Sequence, residues 1–206
     1  MYKKIKIPQE YLDILLEKYH SDDWIQTASG KLWLMDKEFV SQFKLFNTDA
    51  FVDCSNIFRI GNSYKPHTDV FMPEVKTNVL IPLCSEHVEE LKLVIFDQWI
   101  KDRGTWVWNT VKDISNYPPK TYQDRPCDHP DIQGLTDQPI DPSLLPHLAY
   151  NPEFFYGMSG EVVDWEIGTA IAFPAYHIHT SGKQSGYKVG ASIRMSCSFE
   201  EAFNDH

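Results

Sequence analysis

Residues 64–70 read YKPHTDV, and within them His67 and Asp69 could do metal chemistry. The segment reads as extended. Along a strand, residues i and i+2 project from one face with their backbones roughly 6.6 Å apart, so both side chains can reach one ion while Thr68 points away. A neutral imidazole and a carboxylate together suit a divalent transition metal of borderline hardness. A third ligand must come from elsewhere. His20 falls at a helix end, His206 is the last residue, and His129 and His147 lie in a proline-rich stretch. His87 sits in SEHVEEL, which reads as an exposed turn or short helix. There remain His177 and His179 in FPAYHIHTSG, again an i, i+2 pair that spacing does not separate.

A second group lies near the chain's end. Over 191–199, Ala191, Ile193, Met195, Cys197 and Phe199 alternate with Ser192, Arg194, Ser196 and Ser198. A solvent-facing strand would carry Lys, Glu or Thr. Three small hydroxyls around one arginine instead predict a narrow polar pocket with a single cation. A guanidinium there offers a planar fork that grips a carboxylate through two hydrogen bonds.

These residues need elements to hold them. Residues 8–19 predict an amphipathic helix, with Pro8 at the first helical position and Tyr11, Leu12, Leu15, Leu16 and Tyr19 at helical spacing. A second helix is expected over 36–46. From Asn56 onward the pattern turns to short extended runs: IFRIG, TNVLIPL, LKLVIF, TAIAF and VGASIRMSCSF. They are rich in β-branched and aromatic residues and bounded by Gly, Pro or charged turns. One domain over 1–206 is expected, mainly β, a sandwich or barrel with helices on one face. Residues 1–55 would form its helical support. Residues 98–160 would be an insert or lid: eight of the thirteen prolines fall between Pro118 and Pro152, beside Trp99, Trp106 and Trp108.

Bulk properties narrow the function classes. A chain of 206 residues with net charge -10 and pI near 5.2, lacking a Lys/Arg run, disfavours nucleic acid as a partner. No apolar run is long enough to span a membrane, and the N-terminus lacks a signal-peptide core, so a cytoplasmic protein is expected. Cys54, Cys84, Cys127 and Cys197 form no CxxC pair, which leaves free thiols rather than a zinc ribbon.

The order of the pieces resembles the iron(II)- and 2-oxoglutarate-dependent dioxygenases: FRIGNSYKPHTD, then GTAIAFPAYHIH, then RMS on the final strand. No one of these motifs is specific; their order and spacing carry the resemblance. It covers about 56–199 apart from the insert. It implies a double-stranded β-helix (jelly-roll, cupin-like) core. In that family the distal histidine falls six residues after the Phe of the Phe-Pro pair, which is His179 here. The resemblance therefore implies His67, Asp69 and His179 as ligands of Fe(II), with His177 in a supporting place.

It further implies that 2-oxoglutarate chelates the iron and that its far carboxylate meets Arg194, helped by Ser196. Tyr64 and Asn78 are further candidates to touch this cosubstrate. Dioxygen would be the oxidant, with succinate, carbon dioxide and a hydroxylated small molecule or peptide as products. A carboxylate at position 69 favours hydroxylation over halogenation. Two alternatives stand beside this one. A cupin-like metal enzyme without 2-oxoglutarate would draw His177 into a three-histidine site. A non-catalytic barrel would have kept the fold alone. The sequence leaves the prime substrate and the oligomeric state open.

Overall fold

The run TAIAFP is buried at every position, because it has a core on each side. Ala170 and Ala172 join one apolar cluster, while Ile171 and Phe173 join another. That split defines the architecture of the computed structural model, which describes residues 2–21, 23–27, 30–61, 66–70, 72–86, 91–100, 132–149, 152–184 and 186–204.

In chain order the elements are β1 (Lys3–Lys6), α1 (Gln9–Tyr19), β2 (Ile25–Thr27), β3 (Gly30–Leu34), α2 (Lys37–Ser41), β4 (Asn56–Ile60), β5 (Thr77–Glu86), β6 (Lys92–Ile100), β7 (Ile132–Gln133), β8 (Gly160–Asp164), β9 (Thr169–Pro174), β10 (His177–Ser181) and β11 (Tyr187–Met195). Among the described residues the larger sheet runs β1-β9-β5-β11-β4-β3-β2. In the smaller one β6 is flanked by β10, β7 and β8. Every pairing is antiparallel. The fold is a jelly-roll, mainly β with flanking helices.

Alternation sorts the side chains into layers. From β5 and β11, Val79, Ile81, Leu83, Val189, Ala191, Ile193 and Met195 face outward. There they meet Leu12 and Leu15 of α1 and Val40 of α2. The opposite face of the same sheet sends Leu80, Ile171 and Phe173 against Leu93, Ile95 and Val163 of the smaller sheet. The interior between the sheets is therefore lined by one face of each.

Several expectations need correction. Pro8 precedes α1 as its cap residue and is not the first helical residue. The expected helix over 36–46 shrinks to Lys37–Ser41, with the Asp36 side chain capping the Phe39 N–H. Its apolar spacing is real, since Phe43, Leu45 and Phe46 are buried. However, the Leu45 carbonyl accepts from the Asn204 N–H at 2.9 Å, and the Asn47 N–H donates to Ala202 at 3.1 Å. The chain's end takes these backbone groups out of any helical ladder. Residues 1–55 contribute strands β1, β2 and β3 as well as helices.

The last strand stops at Met195, because the Ser196 N–H turns to the Ala50 carbonyl at 2.7 Å. Within 98–160, residues 101–131 and with them Trp106 and Trp108 lie outside the described residues. The described remainder is well packed: Ile140, Leu144, Leu148, Phe155 and Met158 cover Val94, Phe96 and Ile178 on the outer face of the smaller sheet. No helix among the described residues is long and apolar enough to cross a membrane.

Candidate metal centre

His67 and Asp69 are not on a regular strand. His67 makes an isolated bridge with His179, with reciprocal backbone hydrogen bonds of 3.0 and 2.9 Å. Two residues on, the Asp69 N–H donates to the Ala175 carbonyl at 2.8 Å. This short ladder to the start of β10 preserves the strand-like disposition that brings both side chains to one place.

The result is a compact donor set. One ligand atom from each of His67, Asp69 and His179 lies within 4.8 Å of the others. His67 Nε2 is 3.7 Å from Asp69 Oδ1, and His179 Nε2 is 3.3 Å from Asp69 Oδ2. The two imidazoles sit 4.3 Å apart, and Phe173 meets His179 edge-on at 4.8 Å. His179 Nδ1 lies 3.1 Å from the His177 carbonyl. A carbonyl only accepts, so Nδ1 carries the proton and Nε2 keeps its lone pair for a ligand bond.

His177 is elsewhere. It is buried, with Nδ1 2.8 Å from the Phe96 carbonyl, and a bulge separates it from His179 in the β10–β6 register. Burial holds its imidazole below the usual histidine range, favouring the neutral ring.

The Asp69 carboxylate is held from behind. Asn78 Nδ2 donates to its Oδ2, and Asn78 Oδ1 accepts from Ser192 Oγ at 2.7 Å. Arg194 Nη2 lies 3.6 Å from Asp69 Oδ1, while Nη1 donates to the Cys54 carbonyl. Burial opposes the carboxylate's ionisation, but His179, Arg194 and His67 outweigh it and keep the carboxyl well below the usual range. Asn78, expected to touch a cosubstrate, thus contacts Asp69. Ser196 lies past the strand end, with its hydroxyl donating to the Ala50 carbonyl at 3.2 Å. Tyr64 lies outside the described residues. Cys54 and Cys197 are free and half-buried, Cys84 is half-buried, and Cys127 is outside the described residues.

One group escaped the sequence reading. Lys188 is on β11 with Arg194, Ser192 and Gly190 on its own face, and it is only 6% exposed. Its Nζ lies 5.0 Å from the Trp165 ring centre and 5.9 Å from that of Phe58, with no carboxylate or carbonyl partner among the described residues. Burial pushes its pKa down to about 7, partly offset by the charge on Asp69. Trp165 Nε1 is also buried without an acceptor among the described residues. Two buried donors without acceptors among the described residues, the amine 5.0 Å from the indole ring centre, suit an anion. The signal was available: the alternation read over 191–199 extends back through Gly190 to Lys188.

No protein-family model matches the sequence, and no curated protein matches it. Solved structures do resemble the fold. The non-heme alpha ketoglutarate dependent epimerase SnoN from nogalamycin biosynthesis aligns with TM-score 0.51 and 9% identity over 94% of this chain and 76% of that one. A Pseudomonas putida prolyl-4-hydroxylase aligns at 0.45 and 8%, covering 94% and 91%. A Burkholderia pseudomallei oxidoreductase of the 2OG-Fe(II) oxygenase family aligns at 0.46 and 10%, covering 97% and 88%. At these identities the likeness to SnoN speaks for the fold alone.

Proposed function

We propose that the chain is an Fe(II)- and 2-oxoglutarate-dependent oxygenase that hydroxylates a C–H bond of a small-molecule or peptide substrate. The observation that carries this reading is the pairing, inside one barrel, of a His/Asp/His donor set with a buried lysine amine that has no anionic partner among the described residues. Two neutral imidazoles and one carboxylate on one side of an ion suit non-heme iron and leave positions for other ligands. Bound iron would supply oxygen activation, coupled to conversion of 2-oxoglutarate to succinate and carbon dioxide.

The chain's own residues divide the remaining work. His179 presents Nε2 because its Nδ1–H is spent on the His177 carbonyl. Asn78 and Arg194 hold the Asp69 carboxylate in place, and His179, Arg194 and His67 keep it ionised as a ligand. Arg194 was the sequence's candidate for the far carboxylate of the cosubstrate. Its guanidinium is already engaged by Asp69 and the Cys54 carbonyl, beside the ligands themselves. Lys188, together with the Trp165 indole N–H, is the better anchor, since both are buried donors without an acceptor among the described residues. Leu80, Ile95 and Phe173 keep that interior apolar and exclude water.

The three-histidine alternative finds less support, because His177 stands outside the donor set of His67, Asp69 and His179. The test is Fe(II)-dependent conversion of 2-oxoglutarate to succinate under air, which such an enzyme performs slowly even without its prime substrate. Succinate that requires Fe(II) and is lost in Lys188→Met supports the reading. Iron binding with no consumption of 2-oxoglutarate would favour the cupin-type alternative.

A further inference from the structure

The inner face of the barrel continues past the ligands to its mouth. On β6, Leu93 and Ile95 face the interior, and Asp97 and Trp99 follow at the same parity. Gln98, at the other parity, turns to Gly134 on the insert side. Trp99 pairs directly with His177, as Ile95 does with His179. Directly opposed residues share a face, so Trp99 and His177 gather at the rim beyond the bulge; Asp97 lies in that bulge, its charge acts on the His177 ring, and its Oδ2 accepts from Ser159 Oγ at 2.6 Å. Tyr176 joins them: its ring is 5.8 Å from Trp99 and 5.2 Å from His177. Its neighbour Ala175 accepts the Asp69 N–H. Tyr176 is 37% exposed, Trp99 is half-buried, and Asp97 is exposed.

The chemistry of this rim is one-sided. It offers two π faces, one carboxylate and one imidazole. His177 turns its Nδ1 to the Phe96 carbonyl at 2.8 Å. Asp97, Trp99 and Tyr176 bring no positive charge. Aromatic faces beside a carboxylate attract a cation, and an acidic molecule of net charge -10 reinforces the attraction.

We propose that Asp97, Trp99, Tyr176 and His177 form the prime-substrate subsite and that the substrate enters with a cationic nitrogen group, a guanidinium or an ammonium. This rests on the oxygenase reading for the word substrate, while the cation preference stands on the rim itself. The test titrates metal-free full-length protein with N-acetylarginine amide and with its neutral isostere N-acetylcitrulline amide. The readout is the Trp99 indole N–H resonance, assigned through Trp99→Phe. The arginine probe is expected to bind at least about fivefold more tightly. Asp97→Asn and Tyr176→Leu should each shrink that ratio, and Tyr176→Phe should keep it. Equal affinities, no shift with either probe, or a ratio indifferent to these variants would overturn the proposal. A protein that discriminates the probes yet consumes no 2-oxoglutarate would sink the oxygenase reading and leave the cation site standing.

Discussion

His179 shows how much one hydrogen bond decides. With Nδ1–H bound to the His177 carbonyl, the ring is fixed in the tautomer that offers Nε2 beside Asp69. His67→Ala, Asp69→Ala and His179→Ala should each abolish Fe(II) binding in a chelator competition. His177→Ala should hold binding within about tenfold, since only its carbonyl serves the metal centre. The reverse outcome for the two histidines would mean that the ligand set is wrong. Asn78→Ala should weaken metal binding by about 10–100-fold through the freed Asp69 carboxylate.

Lys188 makes a prediction in pH. In the unfolded chain its amine is protonated up to the ordinary value of 10.5, but in the fold only below about 7. The unfolded state therefore holds more protons between those values. The cost of burying the ammonium is full below about pH 7 and fades as pH rises toward 10.5. Lys188→Met should stabilise the protein at neutral pH by roughly 1–3 kcal/mol, the scale of a buried unpaired polar group. It should also flatten the rise in stability between those pH values, as read by denaturant melts. An anchored 2-oxoglutarate needs the charged form, so its dissociation constant should climb by up to about tenfold per pH unit above about 7. A pH-independent constant would remove Lys188 from the cosubstrate pocket.

At the scale of the element, β11 is the piece on which the account depends. One face carries Val189, Ala191, Ile193 and Met195 into the main core, and the other carries Lys188, Ser192 and Arg194 into the barrel. Gly190 sits between them. A Cβ there would meet the Trp165 ring at 2.8 Å, the Phe58 ring at 2.9 Å and the Ile81 carbonyl at 3.1 Å. Gly190→Ala should therefore cost about 1–3 kcal/mol through overpacking and weaken 2-oxoglutarate binding by displacing Trp165. Unchanged stability in urea unfolding would contradict this packing.

This strand was legible in the sequence because period-2 alternation is a strong signal once both faces are buried. The read pattern ran too far at one end, because a backbone turn to Ala50 has no residue-type signature. It began too late at the other, because a lone lysine reads as solvent-exposed until a fold encloses it. The HTD segment was legible for its chemistry and not for its conformation. A single bridge to His179 does the work of a strand, and such a bridge depends on a partner 112 positions away.

At the scale of the whole molecule, the jelly-roll places its chemistry between two sheets and its support outside them. Helices α1 and α2 cover the larger sheet, and the described part of the insert covers the smaller one. The insert's packing was not legible, because Ile140, Leu144, Leu148 and Phe155 are spread through short turns without the period of a helix or strand. The centre of the account is that one interior holds both the metal and the keto acid. The most direct measurement is an anaerobic titration of metal-free protein with Fe(II) and then 2-oxoglutarate, followed by visible absorption. A charge-transfer band that requires both additions, and weakens in Lys188→Met, is the predicted result. Iron binding with no band on addition of 2-oxoglutarate would contradict the account.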